Sequence, residues 1–179
     1  MGNDVPGRPD LRCEAPHEGG VAAWREFAAE FAAAGETDIP GSGGSMRADF
    51  GEWVRRLRAS AEGRDLPAGR VPATTYWMVR RERIVGCGNL RHRLTPALQA
   101  LGGHIGFAVR PSERGRGHAK ALLRFLLARA HELGIGDVVL TCDRDNAASA
   151  AVIRACGGVV SPAAGRPGDE AVLRFVVSP

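Results

Sequence analysis

The sequence predicts a single domain of the α/β class, α+β in type, whose mixed and mostly antiparallel sheet is flanked by helices. Three observations predict it. Apolar residues recur at helical spacing between residues 18 and 62, then switch to period-two and β-branched runs between 74 and 110. A long amphipathic segment follows at 117–133, and after it short apolar runs bracket an alanine-rich helix. The order of elements is therefore β-α-α-β-β-β-α-β-α-β-β. A chain of 179 residues, 44% hydrophobic and 25% charged, has enough apolar material for one core, so one domain over 1–179 is expected.

Taken in order, residues 10–15 form a short strand. Val21, Trp24, Phe27, Ala28 and Phe31 make one face of a helix over 18–33, which Gly35 ends. Residues 36–45, rich in Gly and Ser, read as a mobile loop. Phe50, Trp53, Val54 and Leu57 share a face of a second helix over 46–62. After a loop over 63–72, residues 74–80 and 83–91 form a hairpin turning at Arg81-Glu82, with Gly86 and Gly88 signalling a bulge or a close backbone approach. A connection over 94–102 leads to a strand over 104–110, which Pro111 stops. Ala121, Leu122, Phe125, Leu126, Ala128, Ala130 and Leu133 give the helix over 117–133 a broad apolar face. A buried strand over 137–143, a helix over 146–156, and strands at 159–160 and 170–177 complete the pattern. Trp24, Trp53 and Trp77 are expected in the core or as groove wall.

Several function classes are excluded by what is missing. No apolar run reaches 18 residues, so no membrane helix is expected. The first residues lack a cationic stretch followed by an apolar one, so no secretory leader is expected and the protein is placed in the cytoplasm. Cys13, Cys87, Cys142 and Cys156 are scattered, with no Cys-x-x-Cys pair and no histidine at zinc-finger spacing; reduced thiols and no metal site are expected. The net charge of +4 is carried almost wholly by arginine. It suits an anionic ligand, but without basic blocks or an aromatic-studded basic strand it does not indicate nucleic acid.

One segment carries chemistry. In Ile105-Gly106-Phe107-Ala108-Val109-Arg110-Pro111-Ser112-Glu113-Arg114-Gly115-Arg116-Gly117-His118-Ala119, a strand stops, a basic glycine loop follows and a long helix starts at once. Glycines let backbone N–H groups approach a ligand, and the first N–H groups of a helix are unpaired and lie at its positive end. Arg114 and Arg116 add charge. Such a loop is a phosphate or pyrophosphate site. It is not a Walker A loop, which needs Gly-Lys-Ser/Thr, nor a dinucleotide fingerprint, because Lys120 stands where the third glycine belongs.

Arg114-x-x-Gly117-x-Ala119 resembles the Arg/Gln-x-x-Gly-x-Gly/Ala signature of the GNAT superfamily of N-acetyltransferases. Asn146-x-x-Ser149-x-x-x-Ile153-x-x-x-Gly157 is similar to that family's Asn-x-x-Ala/Ser-x-x-x-Tyr-x-x-x-Gly segment. The resemblance covers the order of elements from 74 to 177. It implies an enzyme that moves an acetyl or short acyl group from acetyl-CoA to a primary amine, small molecule or peptide, by direct attack in a ternary complex without a metal. A homodimer is compatible with it. By the resemblance, Arg114, Gly115, Arg116, Gly117, His118 and Ala119 cradle the CoA pyrophosphate, and Phe107 and Val109 meet the cofactor along the splayed strand. The Val109 N–H polarises the thioester carbonyl, and Asn146 and Ser149 meet the pantetheine arm.

The sequence departs from the family pattern at Ile153, where many members place a tyrosine that protonates the leaving thiolate. Ser149, water or the departing amine proton are the remaining donors, and Tyr76 lies on a different strand. His104 is the candidate general base, directly or through water, or else a structural histidine. Cys142 has no activating partner in sequence, which disfavours an acyl-cysteine route. His92 is expected to be solvated, Glu113 and Glu82 to be turn residues, and His118 to cap or face solvent. Asp49 and Glu52 lie on the second helix, beside the acceptor groove or on a solvated face. The missing tyrosine also supports an alternative, a non-catalytic acyl-CoA-binding sensor or partner-binding module on the same fold.

Overall fold

A computed structural model describes residues 4–42, 49–161 and 171–178. In it the chain runs β1 (Asp4–Val5), β2 (Arg8–Glu14), α1 (Val21–Ala33), α2 (Phe50–Ala61), β3 (Ala73–Arg80), β4 (Arg83–Arg91), α3 (Pro96–Ala100), β5 (Ile105–Val109), α4 (His118–Glu132), β6 (Val138–Asp143), α5 (Ala147–Ala155), β7 (Val159–Val160) and β8 (Val172–Val177). The α/β class and the order of elements agree with the sequence reading. Two short elements escaped it: β1, and α3, which sits inside the connection over 94–102. Thr95 caps α3 by accepting from the Leu98 N–H, and Pro96 takes its first turn. The second helix begins at Phe50, where the Asp49 carboxylate accepts from the Glu52 N–H; the expected start at 46–48, the loop end at 43–45 and residue 170 lie outside the described residues.

The strands form two antiparallel ladders, β1-β2-β3-β4-β5 and β6-β8-β7. The β3–β4 hairpin turns at Arg81 and Glu82, both at positive φ (47° and 64°), the geometry of a two-residue turn that follows sheet twist. Its register shifts where Met78 faces Gly86 and Val79 faces Ile84, leaving Val85 as the extra residue of a bulge. Gly86 and Gly88 then serve close approach. A Cβ on Gly88 would lie 2.6 Å from Leu126 and one on Gly86 3.2 Å from Leu122, so α4 rests directly on the β4 backbone.

Two apolar clusters result. One lies between α4 and the sheets, around Leu122, Leu123, Leu126, Leu140, Ile153 and Phe175. The other lies under α1 and α2, where Trp24 stacks on Trp53 at 4.9 Å and on Trp77 at 5.6 Å. Each fully buried side chain of this size contributes roughly 1.5–3 kcal/mol. No helix among the described residues is long and apolar enough to cross a membrane.

The two ladders are tied at His104, one residue before β5. Its N–H donates to the Val139 carbonyl at 2.7 Å, and its Nδ1 accepts from the Val139 N–H at 3.0 Å. The imidazole thus occupies the place of a backbone acceptor, and beyond it β5 and β6 share no ladder.

Candidate active site

The gap between β5 and β6 opens into a cleft of about 1030 Å³, walled by β5, β6, the start of α4, the first turns of α5 and the chain after α1. Hydrogen-bond parity decides what β5 offers to it. Arg91 N–H donates to the His104 carbonyl and Arg110 N–H to the Val85 carbonyl, so residues 104, 106, 108 and 110 are those bonded to β4. In an antiparallel pair the intervening residues turn their backbone groups away. The N–H groups of Phe107 and Val109 therefore face away from β4, on the side of the cleft that both residues line.

The glycine loop closes one end. Gly115 and Gly117 have φ of 75° and 78°, a region that L side chains avoid, and Gly117 is the N-cap of α4. The Ala121 N–H is the one that returns to the Gly117 carbonyl. The N–H groups of His118, Ala119 and Lys120 precede it and have no acceptor within the helix. Gly115, Gly117, His118, Ala119 and Lys120 all line the cleft. This donor set, at the positive end of a fifteen-residue helix, fits a pyrophosphate.

The arginine side chains behave differently from the sequence expectation. Arg114 does not offer its guanidinium to the loop. It makes a two-pronged pair with Glu36, 2.7 Å on each arm, and donates to the Val109 carbonyl at 3.2 Å. Arg116 donates to Glu113 at 2.9 Å. Glu113 is no mere turn residue: it is buried and also receives Arg83. His118, expected to cap or face solvent, is 2% exposed, with Nε2 3.4 Å from Glu113 and Nδ1 3.5 Å from Arg8. Burial first holds its pKa below the usual imidazole value.

Of the two expectations for His104, its surroundings match the structural histidine. It does not line the cleft, its ring is nearly buried, and its Nδ1 lone pair is already used by Val139. Burial, and then the nearby Arg91 charge, hold it below its ordinary pKa, which keeps the accepting neutral form. His92 is likewise not free in solvent: its Nε2 lies 2.8 Å from the Thr74 hydroxyl. Asn146 caps α5, accepting from the Ser149 N–H at 2.9 Å, and both residues line the cleft. Ile153 is fully buried, so this position faces the core and Val152 takes the cleft wall instead. Cys142 lines the cleft, but burial pushes its thiol above the ordinary range. Tyr76 packs edge-on against Phe125, under α4 and not in the cleft.

Two groups of residues were missed by sequence reading. Glu30 collects Arg83 at 2.7 Å, the Ser112 hydroxyl at 2.7 Å and the wholly buried Arg110 at 3.4 Å, fastening α1 to the turn before the glycine loop. Glu36 and Asp38, assigned to a mobile loop, line the cleft. Charges spread over distant segments leave no local pattern. No group of His, Cys, Asp and Glu among the described residues could hold a metal ion.

A glycine loop at a helix start, beside a parted pair of strands, defines a CoA-dependent acyltransferase. Residues 45–157 match the family model described as Acetyltransferase (GNAT) family, and the chain belongs to that family. It is an acyl-CoA-dependent N-acetyltransferase that draws its acetyl group from acetyl-CoA. No curated protein matches the chain in sequence. Among solved structures, the chain is similar to RimL, a ribosomal L7/L12 alpha-N-protein acetyltransferase in complex with coenzyme A, at 18% identity and a TM-score of 0.67 over 97% of both chains. It is also similar to an acetyltransferase from Salmonella typhimurium that modifies the N-terminal serine of ribosomal protein L7/L12, at 18% identity and a TM-score of 0.66 over 98% of both chains. A spermidine N-acetyltransferase chimera, part of it from Vibrio cholerae, matches at 14% identity and a TM-score of 0.60, over 94% of this chain and 95% of that one.

Proposed function

We propose that the protein acetylates a primary amine, that of a peptide N-terminus or of a small polyamine, by direct attack of the amine on acetyl-CoA within a ternary complex. The observation that carries this reading is the shared cleft. It gathers the unpaired N–H groups of α4, the outward backbone of Phe107 and Val109, and, opposite, the acidic segment after α1. The whole chain is read as one catalytic unit acting in the cytoplasm. The full-length likeness to acetyltransferases of a ribosomal-protein N-terminus and of spermidine supports the amine classes named.

Each residue has a role in this reading. The backbone of Gly115 to Lys120 holds the pyrophosphate, with Gly117 supplying the left-handed turn. Asn146 and Ser149 border the pantetheine arm. The Val109 N–H donates to the thioester carbonyl and to the oxyanion that develops there, the contribution expected to be largest. Acetyl-CoA supplies the activated acyl carbon. His104 does not serve as base, so the amine proton leaves to water or to a cleft carboxylate. The thiolate is protonated by water, by the Ser149 hydroxyl or by the proton the amine releases. Positioning supplies the remaining acceleration.

The test is CoA release from acetyl-CoA over a panel of free-N-terminus peptides, spermidine and amino acids, beside calorimetry of acetyl-CoA binding. Saturable release with at least one amine class is expected. Tight acetyl-CoA binding without release on any amine would overturn the catalytic reading and favour the acyl-CoA sensor.

A further inference from the structure

The segment after α1 is fastened at four points. Glu36 takes both arms of Arg114, whose guanidinium also lies 5.7 Å from the Phe31 ring centre. Ile39 is buried in the tryptophan cluster. The Pro40 carbonyl accepts from the Cys87 thiol at 3.3 Å, and Pro40 sits where a Cβ on Gly106 would meet it at 3.1 Å. Gly41 turns at φ 77° against Thr75. The expected mobile loop is, over 36–42, a strap across the outer face of β4 and β5.

Between those fastenings stands Asp38. It lines the cleft and is exposed, and among the described residues it has no hydrogen bond and no ion pair. Its carboxylate feels Arg91, whose own arm is committed to the Gly102 and Gly103 carbonyls at 3.0 and 2.8 Å. The other acids of the cleft divide clearly. Glu36 is neutralised by Arg114, and Glu113 is enclosed by Arg83, Arg116 and His118. Among the described residues Asp143 has no side-chain partner, but it ends β6 beside the Asn146 turn and is not part of the strap.

We infer that Asp38 is the residue that recognises the acceptor amine in its ammonium form and so selects cationic amines over neutral ones. The inference rests on the N-acetyltransferase reading above. Primary alkylamines and peptide N-termini are wholly or largely protonated at neutral pH. A pre-fixed carboxylate with no cation paired to it among the described residues binds an ammonium without first breaking a pair there, and the strap lowers the ordering cost.

The experiment compares wild type with Asp38→Asn, Asp38→Glu and Asp143→Asn. The acceptors are spermidine and a free-N-terminus serine peptide, charged at pH 7.5, and an arylamine, which is uncharged there. Asp38→Asn should raise KM for the charged acceptors by roughly tenfold and leave the KM for acetyl-CoA, the thermal midpoint and arylamine kcat/KM within about twofold of wild type. Asp38→Glu should recover part of the loss and Asp143→Asn should show none of it. Equal losses on charged and neutral amines, no loss on either, or the selective loss appearing in Asp143→Asn instead would each overturn the assignment. Wild-type turnover is read separately: its absence on every amine would remove the N-acetyltransferase reading itself, whereas its presence with an unselective Asp38→Asn removes Asp38 alone.

Discussion

The two faces of β4 and β5 are built by opposite means. On one face α4 lies on glycine backbone, with Leu122 and Leu126 filling the spaces above Gly86 and Gly88, and that contact is apolar and fully buried. On the other face the strap over 36–42 is held by one ion pair, a thiol and a proline seated on Gly106. The first face carries the loop and helix start that the family shares. The second carries Glu36 and Asp38 of the cleft lining, the charges proposed to meet the acceptor. A rigid apolar contact suits the side that must present fixed N–H groups, and a polar, partly exposed one suits the side that must discriminate among amines.

The largest effect should come from the first face. Gly117→Glu puts a side chain at φ 78°, which costs about 1–2 kcal/mol for an L residue, and a carboxylate against a pyrophosphate. The Cβ itself meets nothing nearer than Arg8 at 3.8 Å, so the fold should survive. Acetyl-CoA affinity by calorimetry should fall by more than about a hundredfold, with roughly 3 kcal/mol lost. Gly117→Ala, with strain alone, should fall much less; equal losses in both would mean that the backbone turn, not the charge, decides.

His104 ties the two ladders together, and its prediction is the middle one. The Nδ1 acceptor requires the neutral ring, and burial depresses its pKa. An imidazole that resists protonation when folded leaves the unfolded chain binding more protons below about pH 6.5. Stability is then fully present above that pH and falls as the pH drops through the window beneath it. His92 and His118, also shifted down by burial, act with the same sign. His104→Gln keeps an acceptor that does not titrate, so urea melts at pH 7.5 and 5.5 should differ less than in wild type. The same variant separates this role from catalysis. Loss of a general base costs about 10²–10⁴-fold in rate, and kcat here should fall by less than about tenfold.

This division also explains what was legible in the sequence. Gly86, Gly88, Gly115 and Gly117, the α4 stripe and the Asn146 to Gly157 segment are local patterns, and each reports its own backbone or face. The strap is not local. Glu36 finds Arg114 across 78 residues, Pro40 finds Cys87 across 47, and Ser112 finds Glu30 across 82. A Gly- and Ser-rich stretch reads as loose when the partners that fasten it lie elsewhere in the chain. His104 stayed open between a base and a structural histidine for a related reason. Position on a strand suggested a base, but only the neighbouring Val139 N–H reveals that the ring completes a backbone bond. Ile153 departs from the family's tyrosine, and its burial shows that this position faces the core.

The smallest effect tests whether the strap depends on its most visible bond. Glu36 and Arg114 pair through both arms, yet their side chains are 42% and 47% exposed. Solvent screens such a pair to about 0.2–1 kcal/mol. The guanidinium holds the Glu36 pKa below the usual carboxylate range, so the pair persists through neutral pH. Glu36→Gln should therefore lower the thermal midpoint by no more than about 4 °C, and the difference should shrink in 1 M salt, where the screening length is about 3 Å. Ile39, Pro40 and Gly41 would continue to hold the strap, leaving the preference for charged amines in place. A larger, salt-independent loss, or a collapse of that preference, would mean that the ion pair sets the position of Asp38 and that the apolar fastenings do not.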